Sequence, residues 1–222
     1  MPVTHHRRMD TYTVLFSPNR ERLVTTNAWA FLLALRTSGN GPDLPDWPAL
    51  LEWAAANPGP ARQAMRAFAG QPDLPAPAVA HLADLLLFLD VRPDDVLLVA
   101  DAQPFPWQAA SEAGATLHRY TGPPGAVLEQ AAAEKTTVLA APAQWLDGGS
   151  YQRRQRLDLR SLRTIVTLGG PLSAEAAGRI YTWVKSDVVL LARAGDRVWG
   201  NPLGPVLAKP ALSSGLGSLI RR

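Results

Sequence analysis

The chain lacks cysteine altogether, which excludes a disulfide scaffold, thiolate zinc ligation and thiol nucleophiles. Long apolar runs are also scarce. Stretches such as Leu85-Leu86-Leu87-Phe88-Leu89 fall far short of the roughly 20 residues a membrane helix needs, so no membrane association is expected. The start Met1-Pro2-Val3-Thr4-His5-His6-Arg7-Arg8 has no apolar core behind its charges, unlike a secretory signal, and a soluble, cytoplasmic protein is the expectation. The excess of one charge sign is small: 22 Lys and Arg face 19 Asp and Glu. There is no G-x-S-x-G elbow, no G-x-x-x-x-G-K-S/T loop, no G-x-G-x-x-G turn and no H-E-x-x-H helix. The four histidines assemble no metal site, because His118 falls in a strand, His81 starts a helix, and His5 and His6 lie at the terminus. No repeat at a solenoid period is visible.

What is present is a globular composition, 47% hydrophobic and 18% charged over 222 residues, enough for one substantial core. Two segments are read. Residues 1–75 form an N-terminal helical segment packed on the core, and residues 76–222 form an α/β core. In the first, Val24, Ala28, Phe31, Leu32 and Leu35 recur at helical spacing and Ser38-Gly39-Asn40-Gly41-Pro42 ends the helix. A second helix runs from Pro48 to Ala56 and a third from about Pro60 to Ala69, closed by Gly70. Three prolines between Gln71 and Pro77 exclude regular structure there.

Beyond that point helices alternate with short apolar strands. The strands expected are 96–100, 115–120, 137–140, 164–168 and 188–192, whose starts lie 19, 22, 27 and 24 residues apart. That spacing accommodates a crossover helix each time, and continuous apolar strands suit a sheet covered on both faces. A mainly parallel sheet of about five strands follows. Its helices are read over His81 to Asp90, Trp107 to Ala113, Gly125 to Lys135, part of Ala143 to Arg163, and Ser173 to Lys185, the last with Ser173 as N-cap, Glu175 in the first turn and Lys185 in the last. The tail from Gly195 either docks as an edge or stays loose.

Ligands of open parallel sheets bind beyond the carboxyl ends of the strands, which directs attention to Asp101, Gly122, Pro142, Gly169-Gly170-Pro171-Leu172 and Gly195-Asp196. At Gly169 and Gly170, glycine permits close backbone approach, and amides at a helix start favour an anion or a nucleotide edge; a plain tight turn accounts for the same residues. Asp101 and Asp196 could hold magnesium or a ribose hydroxyl, or simply form turns. The arginines at 153, 154, 156, 160 and 163 have only Tyr151 nearby for stacking, so a solvated face is favoured and a nucleic-acid site is not expected.

Four segments, read in order, resemble a known family: Tyr120-Thr121-Gly122-Pro123-Pro124, Asp158 to Ile165, Gly169-Gly170-Pro171-Leu172-Ser173-Ala174-Glu175, and Ile180-Tyr181-Thr182-Trp183-Val184-Lys185-Ser186-Asp187-Val188. They are similar to the core of the adenylate-forming acyl-CoA synthetases, most of all the acetoacetyl-CoA synthetase branch. Thr25 to Phe31 and Leu50-Leu51-Glu52-Trp53 are similar to that branch's N-terminal helices. The resemblance implies that Gly169, Gly170, Pro171 and Leu172 face an adenine, and that Asp196 keeps the aspartate of a Gly-Gly-Thr-Asp motif, here Arg193-Ala194-Gly195-Asp196. It also implies losses. Where the family has a phosphate loop rich in Ser, Thr and Gly and ending in lysine, this chain reads Gly70-Gln71-Pro72-Asp73-Leu74-Pro75-Ala76-Pro77-Ala78-Val79-Ala80-His81. The family's large segment between the N-terminal helices and that loop is missing, and the sequence ends soon after Pro205-Val206, before the ribose-binding aspartate and the C-terminal domain with its catalytic lysine.

The expectation is therefore a degenerate relative with no catalytic residues of its own. It would require no cofactor but could retain weak AMP or CoA binding, and would act through a protein partner or a second copy of itself. The alternative is a ligase, or an AMP- or CoA-binding protein, that completes its site with another chain.

Overall fold

The computed structural model describes residues 14–39, 41–100, 110–111, 113–148, 157–208, 210, 212–215, 219 and 221. His5, His6, Asp101, most of the Trp107 helix, and Arg153, Arg154 and Arg156 lie outside the described residues.

The first strand, β1 (Val14–Phe16), leads into a single turn, α1 (Arg20–Leu23), capped by Asn19. Helix α2 (Asn27–Thr37) starts later than its apolar periodicity indicates. Thr26 is the N-cap, its Oγ1 accepting from the Trp29 amide at 3.2 Å, and this leaves Val24 outside the helix and exposed. Ala28, Phe31, Leu32 and Leu35 form the buried face. Asp46 caps α3 (Trp47–Ala56), with Pro48 in the first turn. Helix α4 (Pro58–Phe68) is followed by Gly70 in the left-handed region, φ +66°, as its closing role requires. Residues 71–75 are irregular, but α5 (Ala76–Ala83) begins inside the proline-rich stretch. Pro77 sits in its first turn, where a missing N–H costs nothing. The helix widens into a π-helical turn over Asp84–Phe88.

The sheet contains β2 (Val96–Val99), β3 (Thr116–Arg119), β4 (Val138–Pro142), β5 (Thr164–Leu168), β6 (Val189–Ala194), β7 (Arg197–Trp199) and β9 (Leu212–Ser214), in the order β3-β2-β4-β5-β6-β7-β9. The first five run parallel and the last two antiparallel. The tail thus docks as an antiparallel edge, while β8 (Val206–Leu207) pairs with β1 in a separate two-stranded ribbon. Helices α6 (Val127–Ala133), α7 (Ala143–Asp147) and α8 (Ala174–Arg179) supply crossovers. Helix α8 is extended by a π-helical turn over Ile180–Val184, and Lys185 lies beyond it with an extended backbone. Lys185 is therefore not in the last helical turn. Its Nζ donates to the Arg160 carbonyl at 2.7 Å.

Apolar strand residues divide by parity between two cores. Leu97, Val99, Val138, Ala140 and Val166 face Phe31, Leu50, Met65 and Leu87 of the N-terminal helices and α5. Leu98, Leu139, Ala141 and Ile165 face Val127, Leu128, Leu146, Ala176 and Ile180. Burial on both faces explains why these strands lack polar alternation. The molecule is an α/β fold with helices on both faces of a mainly parallel sheet. Among the described residues, no helix is long and apolar enough to cross a membrane.

Candidate functional site

The carboxyl edge of the sheet is where the sequence directs attention. Leu168 ends β5 opposite Arg193 of β6, and the Gly169 amide continues the ladder to the Arg193 carbonyl at 2.8 Å. The chain then turns through Gly169 at φ +89° and Gly170 at φ +150°, a conformation that side chains with a Cβ resist. Open space surrounds both Cα positions. Thr167 Oγ1 donates to the Gly170 carbonyl at 2.6 Å and fixes the turn from beneath. Pro171 and the buried Leu172 then descend to form one wall of a shallow apolar cleft, completed by Ala177, Leu190, Trp199 and Val206.

The start of α8 is satisfied from within the chain. Ser173 Oγ accepts from the Ala176 amide, as expected of its N-cap, and Asp147 Oδ1 accepts from both the Ser173 amide at 3.1 Å and the Ser173 hydroxyl at 2.8 Å. A carboxylate of α7 thus occupies the place where an external anion was anticipated.

Gly195 and Asp196 form the two-residue turn of the β6–β7 hairpin, Gly195 at φ +59°. Since β5 and β6 are neighbours in register, this turn and the Gly169 turn leave the sheet side by side. Asp196 is exposed, and its carboxylate lies 3.9 Å from Arg221. Of the arginines around it, Arg193 points inward and donates to Asp84 Oδ2 at 2.6 Å, with only 11% and 2% of the two side chains exposed. Burial so deep requires pairing. The sequence reading assigned Asp84 no role, although a carboxylate next to the apolar run 85–89 was the available signal.

Of the other polar residues, His118 in strand β3 and the exposed Arg160 lie as expected, whereas His81 and Arg163 do not. His118 pairs with Glu134 at 2.5 Å on the sheet's outer edge. His81 lies in the last turn of α5 rather than at a helix start. Its pKa is lowered from 6.5 by burial first and then by nearby Arg221. Arg160 is exposed and pairs with Asp158, whose carboxyl it holds at about 2. Arg163 departs from the solvated face proposed for its stretch. It donates to Asp90 at 2.7 Å and to Asp95, and Asp90 also accepts from Arg92 and from the Asn27 amide at the start of α2. This cluster lies at the amino end of the sheet, away from the candidate site. Among the described residues, no group of three His, Asp or Glu side chains could hold a metal.

The chain is a helix-covered parallel sheet with antiparallel outer strands and a glycine turn at its carboxyl edge. The fold recurs in acetoacetyl-CoA synthetase from Streptomyces lividans, with a TM-score of 0.53 and 22% identity over 63% of this chain and 25% of that one. In sequence the chain is acetoacetyl-CoA synthetase-like: it is 37% identical over 126 residues to acetoacetyl-coenzyme A synthetase of Rhizobium meliloti (strain 1021). That match takes in 50% of this chain and 19% of the relative, so the chain spans about a fifth to a quarter of the proteins it resembles. No protein-family model matches the sequence.

Proposed function

We propose that this chain is a non-catalytic acetoacetyl-CoA synthetase-like module that binds, regulates or scaffolds rather than activating an acid. The observation that carries this reading is the junction between α4 and α5. Where a phosphate loop would stand, Gly70 closes one helix, residues 71–75 are irregular, and Pro75 leads directly into the next helix. Residues 70–81 contain no serine, threonine or lysine. Phosphoryl chemistry on ATP depends on donors and cations that spread charge over the transferring group, and residues 70–81 supply no lysine or arginine and no hydroxyl side chain to it.

A second reading is favoured by the open Gly169-Gly170 turn, the apolar cleft beside it and the exposed Asp196: the chain holds AMP or an acyl-CoA, alone or against a partner chain that supplies the missing loop. Titration calorimetry with ATP-magnesium, AMP, CoA and acetoacetyl-CoA, with light scattering on the same sample, separates the two. Micromolar binding that Gly170→Val abolishes supports a retained ligand site. Silence for all four, with a mass above the 23.9 kDa monomer, leaves the interaction role and excludes the ligand site in the isolated chain. Turnover of ATP by the isolated chain overturns the non-catalytic reading.

A further inference from the structure

A second recess opens at the amino end of the sheet, on the edge opposite the glycine turns. Arg22 and Thr26 line it from the N-terminal helices, Asp90 and Arg92 from the connection into β2, and Arg163 and Thr164 from the start of β5. Three guanidinium groups therefore converge here, and the carboxylates that answer them number fewer. Asp90 takes Arg92 and Arg163 at 2.7 Å each, and the buried Asp95 takes Arg163 from behind. Arg22 donates to two neutral carbonyls, that of Arg163 at 2.7 Å and that of Asp187, and lies over the Phe16 ring at 5.3 Å. The Asp187 carboxylate is itself paired with Lys185 at 3.6 Å. Among the described residues here, four cationic side chains, Arg22, Arg92, Arg163 and Lys185, face three carboxylates, Asp90, Asp95 and Asp187. One directed donor is left over: Arg92 Nε is buried and has no hydrogen-bond partner among the described residues.

We infer that this recess is a site for a small oxyanion, a carboxylate or phosphate group, held by Arg92 and by the surplus charge of Arg22 and Arg163. Arginine forks suit both groups because two parallel N–H donors match two oxygens. Asp90 already orients the Arg92 guanidinium, and carboxylate or carbonyl partners orient those of Arg22 and Arg163, so little side-chain entropy remains to be lost on binding. Burial pushes the Arg22 pKa downward, Asp187 and Asp90 oppose that shift, and Arg163 adds to it; an anion would relieve the repulsion between the two arginines. This site is independent of the glycine turns.

The test is calorimetry with inorganic phosphate, and separately with acetate, at an ionic strength fixed with sodium chloride so that screening is constant. Saturable binding of phosphate or acetate at about 1 mM or tighter is expected. Whichever binds identifies the preferred shape of oxyanion. Arg92→Gln should weaken it at least about tenfold, as the loss of a charge-assisted donor does. Arg92→Lys, which keeps the charge but not the fork, should fall in between, and Arg160→Gln, exposed and away from the recess, should change nothing. Circular dichroism establishes that each variant is folded, and should Arg92→Gln not fold, Arg92→Lys carries the comparison. Absence of saturable binding by either anion, or binding that the folded Arg92 variants leave unchanged, overturns the inference.

Discussion

Several residues hold positions that only neighbours remote in sequence can justify. Asp90 adopts φ +53°, a left-handed conformation that aspartate enters more readily than most residues with a Cβ, and it binds the start of α2, Arg92 and Arg163 together. Arg193 shows the same logic at the other end, where its pairing with Asp84 forms a buried strut. Such pairs were not legible in the sequence, because an arginine read alone is a surface residue and its burial depends on a carboxylate 109 or 73 positions away. By contrast, the glycine turn was legible, since two adjacent glycines between a strand and an N-cap serine have few other uses. His81 supplies a pH dependence. Its folded pKa lies below 6.5 through burial and Arg221, so the unfolded chain takes up the proton first. The stability that depends on neutral His81 is fully present above that ordinary value and is lost as pH falls below it toward the folded pKa. Urea unfolding midpoints compared at about pH 7.5 and pH 5.5 should fall for the native chain and fall less for His81→Gln. An equal fall in both would mean that His81 is not differentially titrated.

At the scale of elements, the strands were the most readable part. The run Thr164 to Leu168 is found at the residues expected because a charged Arg163 and a glycine bound it on either side. Helix boundaries were less readable, because caps decide them. Apolar periodicity begins at Val24, yet the hydroxyl of Thr26 fixes the start of α2 by accepting from Trp29 and by donating to the Leu23 carbonyl at 2.8 Å. Thr26→Ala should therefore lower the unfolding free energy by about 1 kcal/mol, measured by urea denaturation, and Thr26→Ser should recover most of it. No loss in the alanine variant would show that the Asp90 carboxylate on the Asn27 amide suffices to start the helix. The antiparallel edge formed by β7 and β9 was open in the sequence, since strands of three residues in a Gly- and Pro-rich tail carry no periodicity of their own. Pairing with β6 makes them strands.

At the scale of the whole molecule, the two edges of one sheet carry different chemistry. The carboxyl edge carries the open glycine turn, which the resemblance assigns to an adenine, beside an apolar cleft, and the start of α8 is already bound by Asp147. The amino edge gathers three arginines around two aspartates. Between them lies a fold that recurs in part of acetoacetyl-CoA synthetase from Streptomyces lividans, while residues 70–81 at the α4–α5 junction carry no serine, threonine or lysine, on which the non-catalytic proposal rests. Acid-dependent exchange of labelled pyrophosphate into ATP, assayed on the purified chain with acetoacetate and magnesium, tests that proposal most directly. The account predicts exchange no greater than in a control lacking acid; exchange that rises with acetoacetate concentration would contradict it.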